Sequence, residues 1–309
     1  MSASGRFDLL ATALLLAGCA VALAPATVAR CAWVAVLALG AMLSKETGVL
    51  LAPLLVLLTL ARNPSASIVA VFRGLWPYLL AFAAASVVYF VLRSQGLGFA
   101  SYAEFGLAQV LDAILRYEVW LRTLSFYTFM AFVPFSDISP RHDLLVEMAS
   151  FRQHAAALGA ALLLLLVVVI FAFKRRAWAV LWLGFYVSIF PVLGIFVINT
   201  GETIGSERFL YLPLAMLALA LVALFLSIRQ RYAQRRDIAV LGGALATGWL
   251  AIALFVTYTV TSMWESDLRL WSWQYRINPG NTLVRTAYLA ALSKSQGAAA
   301  ESEFKEEVE

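Results

Sequence analysis

Of the chain's 309 residues, 62% are apolar and 13% are charged, with a mean hydropathy of +0.85. Soluble globular domains lie near about 45–50% apolar and about 25% charged, so residues 1–263 are not a water-soluble domain. The net charge of +5 calls for no nucleic-acid partner, because arginines facing an anionic inner leaflet account for it.

In chain order, residues 9–29, 74–92, 155–173, 177–201, 209–228 and 238–264 contain no Asp, Glu, Lys or Arg. Each is close to the roughly 20 residues that cross a hydrocarbon core. Lys45 and Glu46 separate two shorter uncharged runs, 31–44 and 47–61. Backbone groups in lipid need partners within their own segment, and these runs lack the alternation of a barrel strand. An all-α polytopic membrane protein follows, with spans over 8–24, 26–43, 47–61, 75–93, 155–173, 177–198, 208–228 and 238–260. Residues 107–135 are apolar but hold Asp112, Arg116, Glu118 and Arg122, with six aromatics between 117 and 132. That mixture predicts an interfacial or re-entrant helix. Charge returns in a tail over 264–309, where 283–293 and 298–308 read as a helical hairpin broken at Gln296-Gly297.

Arginine and lysine set the orientation, since short cytoplasmic loops are enriched in them. Lys174-Arg175-Arg176 and the four arginines between 229 and 236 mark inner loops. Alternating the spans from there puts the N-terminus, Lys45-Glu46, residues 199–207 and the tail on the outer side. Ala- and Arg-rich usage fits a bacterial inner membrane.

Many chemistries leave no trace. Cys19 and Cys31 form no disulfide framework, and His142 and His154 stand without a clustered ligand set. No glycine-rich phosphate loop or nucleophile elbow occurs. The residues that invite function are the ionisable ones at the outer boundary, because charge beside hydrocarbon is costly. They are Arg6 with Asp8, Lys45 with Glu46, Arg116 with Glu118, and Glu202 with Glu207-Arg208. Cations and carboxylates on one surface suit a lipid-linked phosphate, the cations neutralising the anion and the carboxylates orienting them. Against that stand blander roles: Lys45-Glu46 as a hairpin turn, Glu207-Arg208 as a helix-start ion pair, and Arg93, Arg122 and Arg152 as headgroup anchors.

Three segments carry a resemblance. They are Ser44-Lys45-Glu46-Thr47-Gly48-Val49-Leu50-Leu51-Ala52-Pro53-Leu54-Leu55, then Glu207-Arg208-Phe209-Leu210-Tyr211-Leu212-Pro213, and Trp264-Glu265-Ser266-Asp267 with Leu270-Trp271 and Asn278-Pro279-Gly280-Asn281. In this order, with the opening Gly5-Arg6-Phe7-Asp8-Leu9-Leu10-Ala11, the chain resembles membrane glycosyltransferases of the GT-C type. The branch is the one with tetratricopeptide (TPR) repeats behind the membrane domain, which includes O-mannosyltransferases. The resemblance implies sugar transfer from a polyprenyl-phosphate carrier to an outer acceptor such as a protein hydroxyl. It casts Lys45, Arg208 and Arg6 as donor-phosphate cations. Asp8, Glu46, Glu202, Glu207, Arg116 and Glu118 become the supporting polar surface, with Tyr211 lining the lipid groove and Asp137 on the acceptor side. No cofactor is firmly implied, and a divalent cation stays open.

The acidic first outer loop that supplies the family's general base should precede Arg6 by far enough to lie upstream of Met1. The catalytic base is therefore not assigned to any residue of this sequence. The chain is expected to be part of a longer protein and inactive alone. The tail is expected to be the start of TPR repeats and a place for a protein partner or acceptor. A non-catalytic scaffold recruiting partners through that tail is the alternative, and a transporter or flippase the third reading. The latter predicts paired broken helices and mid-span charges, of which only Pro191 and Gly194 give a trace.

Overall fold

The computed structural model describes residues 4–96, 115, 117–133, 142–143, 155–193, 203–232, 236–277 and 279–296. Among these, nearly everything is helix. α1 (Ser4–Ala22) and α2 (Val28–Ser44) lead through a 3-10 turn (Glu46–Leu50) into α3 (Leu51–Arg62). α4 (Ile68–Gly96), α5 (Tyr117–Phe132), α6 (Ala155–Phe173), α7 (Ala177–Ile189), α8 (Tyr211–Arg231) and α9 (Arg236–Thr261) follow. α10 (Asp267–Ile277) and α11 (Thr282–Gln296) close the described chain. Two short strands, β1 (His142–Asp143) and β2 (Thr203–Gly205), pair antiparallel.

Local chemistry sets the helix ends. Thr27 has extended backbone, and its hydroxyl accepts the Arg30 N–H at 3.3 Å, an N-cap for α2. Three successive carbonyls of the α1–α2 connection are each capped by a side chain. Arg62 Nη1 donates to Leu23 O at 2.6 Å, the Tyr78 hydroxyl to Ala24 O at 2.9 Å, and Arg30 Nη1 to Pro25 O at 2.7 Å. Those bonds fasten α3 and α4 to the turn between α1 and α2.

Packing forms two apolar clusters. The first joins α1 to α4 through Leu15, Val34, Met42, Leu51, Leu54 and Tyr78, and takes in Met216 of α8. The second joins α5 to α8 through Tyr127, Val168, Phe185, Ile189 and Leu217. α7 and α8 lie against each other and link the two. α9 stands apart, none of its most apolar window being buried. It is held by the Trp249 indole donating to Phe132 O at 3.1 Å and by Phe225 beside Gly242.

Among the described residues, four helices are long and apolar enough to cross a membrane: Ile68–Gln95, Ala155–Phe173, Arg208–Arg231 and Val240–Glu265. Val28–Ser44 and Ala177–Val192 are apolar but shorter. Against the expected boundaries, α4 begins before residue 75 and absorbs Arg73 into its helix, while 155–173 coincides with α6. The segment expected at 177–198 leaves α-helix at Ile189 for a 3-10 turn over Phe190–Val192, where Pro191 cannot donate.

The expected interfacial or re-entrant helix includes α5, whose Arg122, Thr123, Ser125, Tyr127 and Thr128 are buried. Arg122 is only 6% exposed, so it is enclosed by protein and does not anchor in the headgroups. In the tail, α11 covers the first predicted helix and packs on the upstream α10, with Tyr275 and Tyr288 stacked at 5.1 Å. The second predicted helix, 298–308, lies outside the described residues.

Candidate functional site

Three distant parts of the chain meet at one end of the bundle. Asp8 sits in the first turns of α1. Lys45 caps the C-terminus of α2, its extended backbone turning the chain out of the helix while its N–H still reaches Ala41 O. Arg208 lies in the 3-10 turn Glu207–Leu210 that leads into α8. Lys45 Nζ stands 3.3 Å from Asp8 Oδ1, and Arg208 Nε stands 3.8 Å from Asp8 Oδ2. Asp8 is 6% exposed, against 22% for Lys45 and 35% for Arg208, so the carboxylate is the buried member and the cations face outward. Phe209 lies beneath both cations, its ring centre 5.3 Å from Lys45 Nζ and 5.1 Å from the Arg208 guanidinium carbon. An aromatic face attracts cations without neutralising them.

A shallow, open depression adjoins this pair, lined by Asp8, Thr12, Thr47, Ser188, Arg208 and Phe209 with Val192 and Leu212 at its apolar side. Thr12 donates to Asp8 O at 2.8 Å and Ser188 to Gly184 O at 2.7 Å, so both hydroxyl oxygens keep acceptor capacity. Asp8 Oδ2 accepts no hydrogen bond among the described residues.

The backbone around Lys45 is tightly held. A Cβ on Gly48 would fall 2.4 Å from Met42 N and 2.7 Å from the carbonyl carbon of Ala41. Only glycine lets the 3-10 turn fold back on the end of α2. Beside it, Glu46 pairs with Arg93 at 3.1 Å, and Arg93 also donates to the Tyr89 hydroxyl. On the far side, the Ser206 N–H donates to the Tyr127 hydroxyl at 3.1 Å, tying α5 to the chain just before Arg208.

The predicted site residues therefore divide. Asp8, Lys45 and Arg208 come together, and Glu46 lies next to them in its own ion pair. The pairings differ from those adjacency suggested: Asp8 pairs with Lys45 and Arg208 while Arg6 stays exposed, and Glu46 pairs with Arg93 and not with Lys45. Arg93 is thus part of a pair at the edge of the site. Tyr211 is 43% exposed at the start of α8, and Glu118 is exposed on α5. Met1, Arg116, Asp137, Glu202, His154 and the Glu207 side chain lie outside the described residues. Thr12 and Ser188 fall outside every segment singled out in the sequence, while Thr47 and Phe209 lie inside the quoted segments without a role of their own. Thr12 follows Asp8 at helical spacing, a signal that was present; Ser188, inside an uncharged run, offered none.

Among the described residues no group of three His, Cys, Asp or Glu could hold a metal ion. A divalent cation would also meet two positive charges around a single carboxylate, Asp8. The donor set fits an anion better. Cys19 and Cys31 are free thiols.

No protein-family model matches the chain, and neither does any curated protein or solved structure.

The ends of the bundle differ in charge. Asp8, Lys45, Thr47, Ser188 and Arg208 place the start of α1, the end of α2, the start of α3, the end of α7 and the start of α8 together. The opposite end then carries Arg30, Arg62, Lys174, Arg175, Arg176, Arg229 and Arg231, with Asp237 the single acid among the described residues there.

Proposed function

We propose that the Asp8–Lys45–Arg208 cleft binds the phosphate of a lipid-linked sugar, in a GT-C-like membrane glycosyltransferase or a part of one. The observation behind this reading is that one buried carboxylate, lining a cleft in an apolar helical bundle together with Arg208, holds Arg208 and Lys45 beside it. Two cations against one carboxylate leave positive charge for an anion, and charge-assisted contacts to phosphate oxygens are strong. The apolar flanks suit a polyprenyl tail lying along the helices, near the exposed Tyr211.

In the proposed reaction the bond between the sugar's anomeric carbon and the phosphate oxygen breaks. The oxygen keeps the electron pair, and Lys45 and Arg208 stabilise the charge that develops on it. The acceptor oxygen bonds to the anomeric carbon and loses its proton to a base. Asp8, engaged with two cations, positions them and is not that base.

The topology that goes with this reading has eight crossings, α1 and α3 included, because the five helix ends gathered at the cleft fit spans that alternate between the two faces of the bundle. The positive-inside rule puts the arginine-rich end in the cytoplasm and the cleft outside. A bacterial inner membrane and an outer TPR-like tail complete the proposal.

The test is binding and transfer by the purified chain in nanodiscs, using radiolabelled polyprenyl phosphate and its sugar-charged form. Lys45→Ala and Arg208→Ala are each expected to weaken polyprenyl-phosphate binding about tenfold or more and to abolish whatever transfer the chain supports, with unfolding still cooperative. Unchanged binding in both variants overturns the phosphate assignment.

A further inference from the structure

We infer, on the phosphate reading of the Asp8 cleft, that Tyr127 of α5 is the positioning residue for Arg208. The described lining of the cleft comes from other elements, so α5 acts as its seat and not as part of its wall. One hydroxyl and one residue share two bonds. The Tyr127 phenol accepts the Ser206 N–H at 3.1 Å and donates to Ser206 O at 3.4 Å. A side chain 79 positions away in the sequence thereby holds both backbone polar groups of Ser206.

Ser206 decides the path of the chain into Arg208. It has extended backbone, and its own side chain does not cap the 3-10 turn Glu207–Leu210 that follows. Ser206 O also accepts the Phe209 N–H at 3.1 Å, the three-residue closure of that turn. The carbonyl gripped by Tyr127 is therefore the one that starts the turn bearing Arg208 and Phe209. Arg208 Nε stands 3.8 Å from Asp8 Oδ2, an ion-pair distance longer than a hydrogen bond. Attraction of that kind is weakly directional, and ordering a long side chain costs rotamer freedom. The backbone beneath Arg208 thus sets where its guanidinium reaches.

Tyr127 is suited to hold that backbone. Its ring is fully buried in the second apolar cluster, edge-on to Phe126 at 5.1 Å between centres. Phenylalanine would serve the packing equally, whereas a buried phenol oxygen needs a polar partner. Here that partner is the backbone just before Arg208. Leu210, just after it, is buried in the same cluster. Arg208 is thereby bracketed, by a hydroxyl on one side and by apolar burial on the other. A side chain planted in a close-packed core shifts little, and a displacement of about 1 Å in a binding group is enough to cost function.

The experiment measures polyprenyl-phosphate binding by the full chain in nanodiscs, in a double-mutant cycle of Tyr127→Phe with Arg208→Ala. Tyr127→Phe removes the hydroxyl and keeps the ring. It is expected to weaken binding about three- to tenfold, to have little further effect beside Arg208→Ala, and to keep its full effect beside Lys45→Ala. Tyr78→Phe is the control, since it removes a buried hydroxyl that donates to Ala24 O at the opposite end of the bundle, and it is expected to bind as wild type does. Hydrogen exchange supplies a readout without ligand. In Tyr127→Phe the Ser206 and Phe209 amides are expected to exchange about tenfold faster, and the Gly48 amide at the wild-type rate. Unchanged binding, an equal loss with and without Arg208, or unchanged exchange at Ser206 and Phe209 each overturns the inference. Failure of wild type to bind polyprenyl phosphate overturns the phosphate reading and the role of Tyr127 within it, and exchange that still quickens at Ser206 tells that failure apart.

Discussion

Lys45 Nζ lies 3.3 Å from Asp8 Oδ1, although one residue ends α2 and the other begins α1. Antiparallel packing of the two helices brings the two ends level, and Arg208 closes on the same carboxylate from the start of α8. One buried acid thereby fixes the spacing of two cations.

Asp8→Ala is expected to lower stability by about 2 kcal/mol, less than the usual loss for one partner of a fully buried pair, because Lys45 and Arg208 reach solvent. Thermal unfolding in detergent micelles measures it. Asp8→Glu should restore part of the loss, and a variant as stable as wild type would show that the carboxylate is not what holds the two cations.

Gly48→Ala should be worse than its single methyl suggests. The added carbon meets the backbone of Met42 and Ala41, which cannot step aside as a side-chain end could. A cost of about 2–3 kcal/mol is expected, together with displaced Lys45 and weaker anion binding. Gly74→Ala is the control, since nothing lies within 4 Å of a Cβ there.

The Glu46–Arg93 pair is half open to solvent on its acid side, with Glu46 45% exposed. A double-mutant cycle through Glu46→Gln and Arg93→Gln should give a coupling of only about 0.5 kcal/mol. A coupling several times larger would mean that the pair shares in the buried Asp8 network.

The two ends of the bundle are testable by labelling. In a chain with Cys19 and Cys31 replaced by serine, Glu46→Cys and Asn63→Cys should react with a membrane-impermeant thiol reagent from opposite faces. α3 lies between these two positions. Reaction from the same face would remove α3 as a crossing and with it the eight-span topology.

The membrane character, the helical class and most helix positions were legible in the sequence, because long uncharged apolar runs permit almost nothing else. α6 coincides with its charge-free run. The meeting of Asp8, Lys45 and Arg208 was legible as a common side, obtained by alternating spans and counting arginines. Their pairing was not. Adjacent residues such as Lys45 and Glu46 invite a local ion pair, yet the extended backbone at Lys45 and the 3-10 turn after it aim the two side chains at different helices. Arg93 reads as a surface anchor in the sequence because an apolar run ends at it, and only its packing beside the α2–α3 turn shows Glu46 as its partner.

What the sequence by itself determined is what the solvent demands of it: apolar helices of membrane length, polar turns, and arginines gathered at alternate ends. These follow from hydropathy and helix geometry, which act residue by residue. Only the tertiary structure decided which turn meets which: that Asp8 faces two cations, that Ser188 lines their cleft, and that Tyr127 holds the backbone of Ser206. Such facts depend on which helix faces pack together, and that choice rests on many small contacts between segments far apart in the chain.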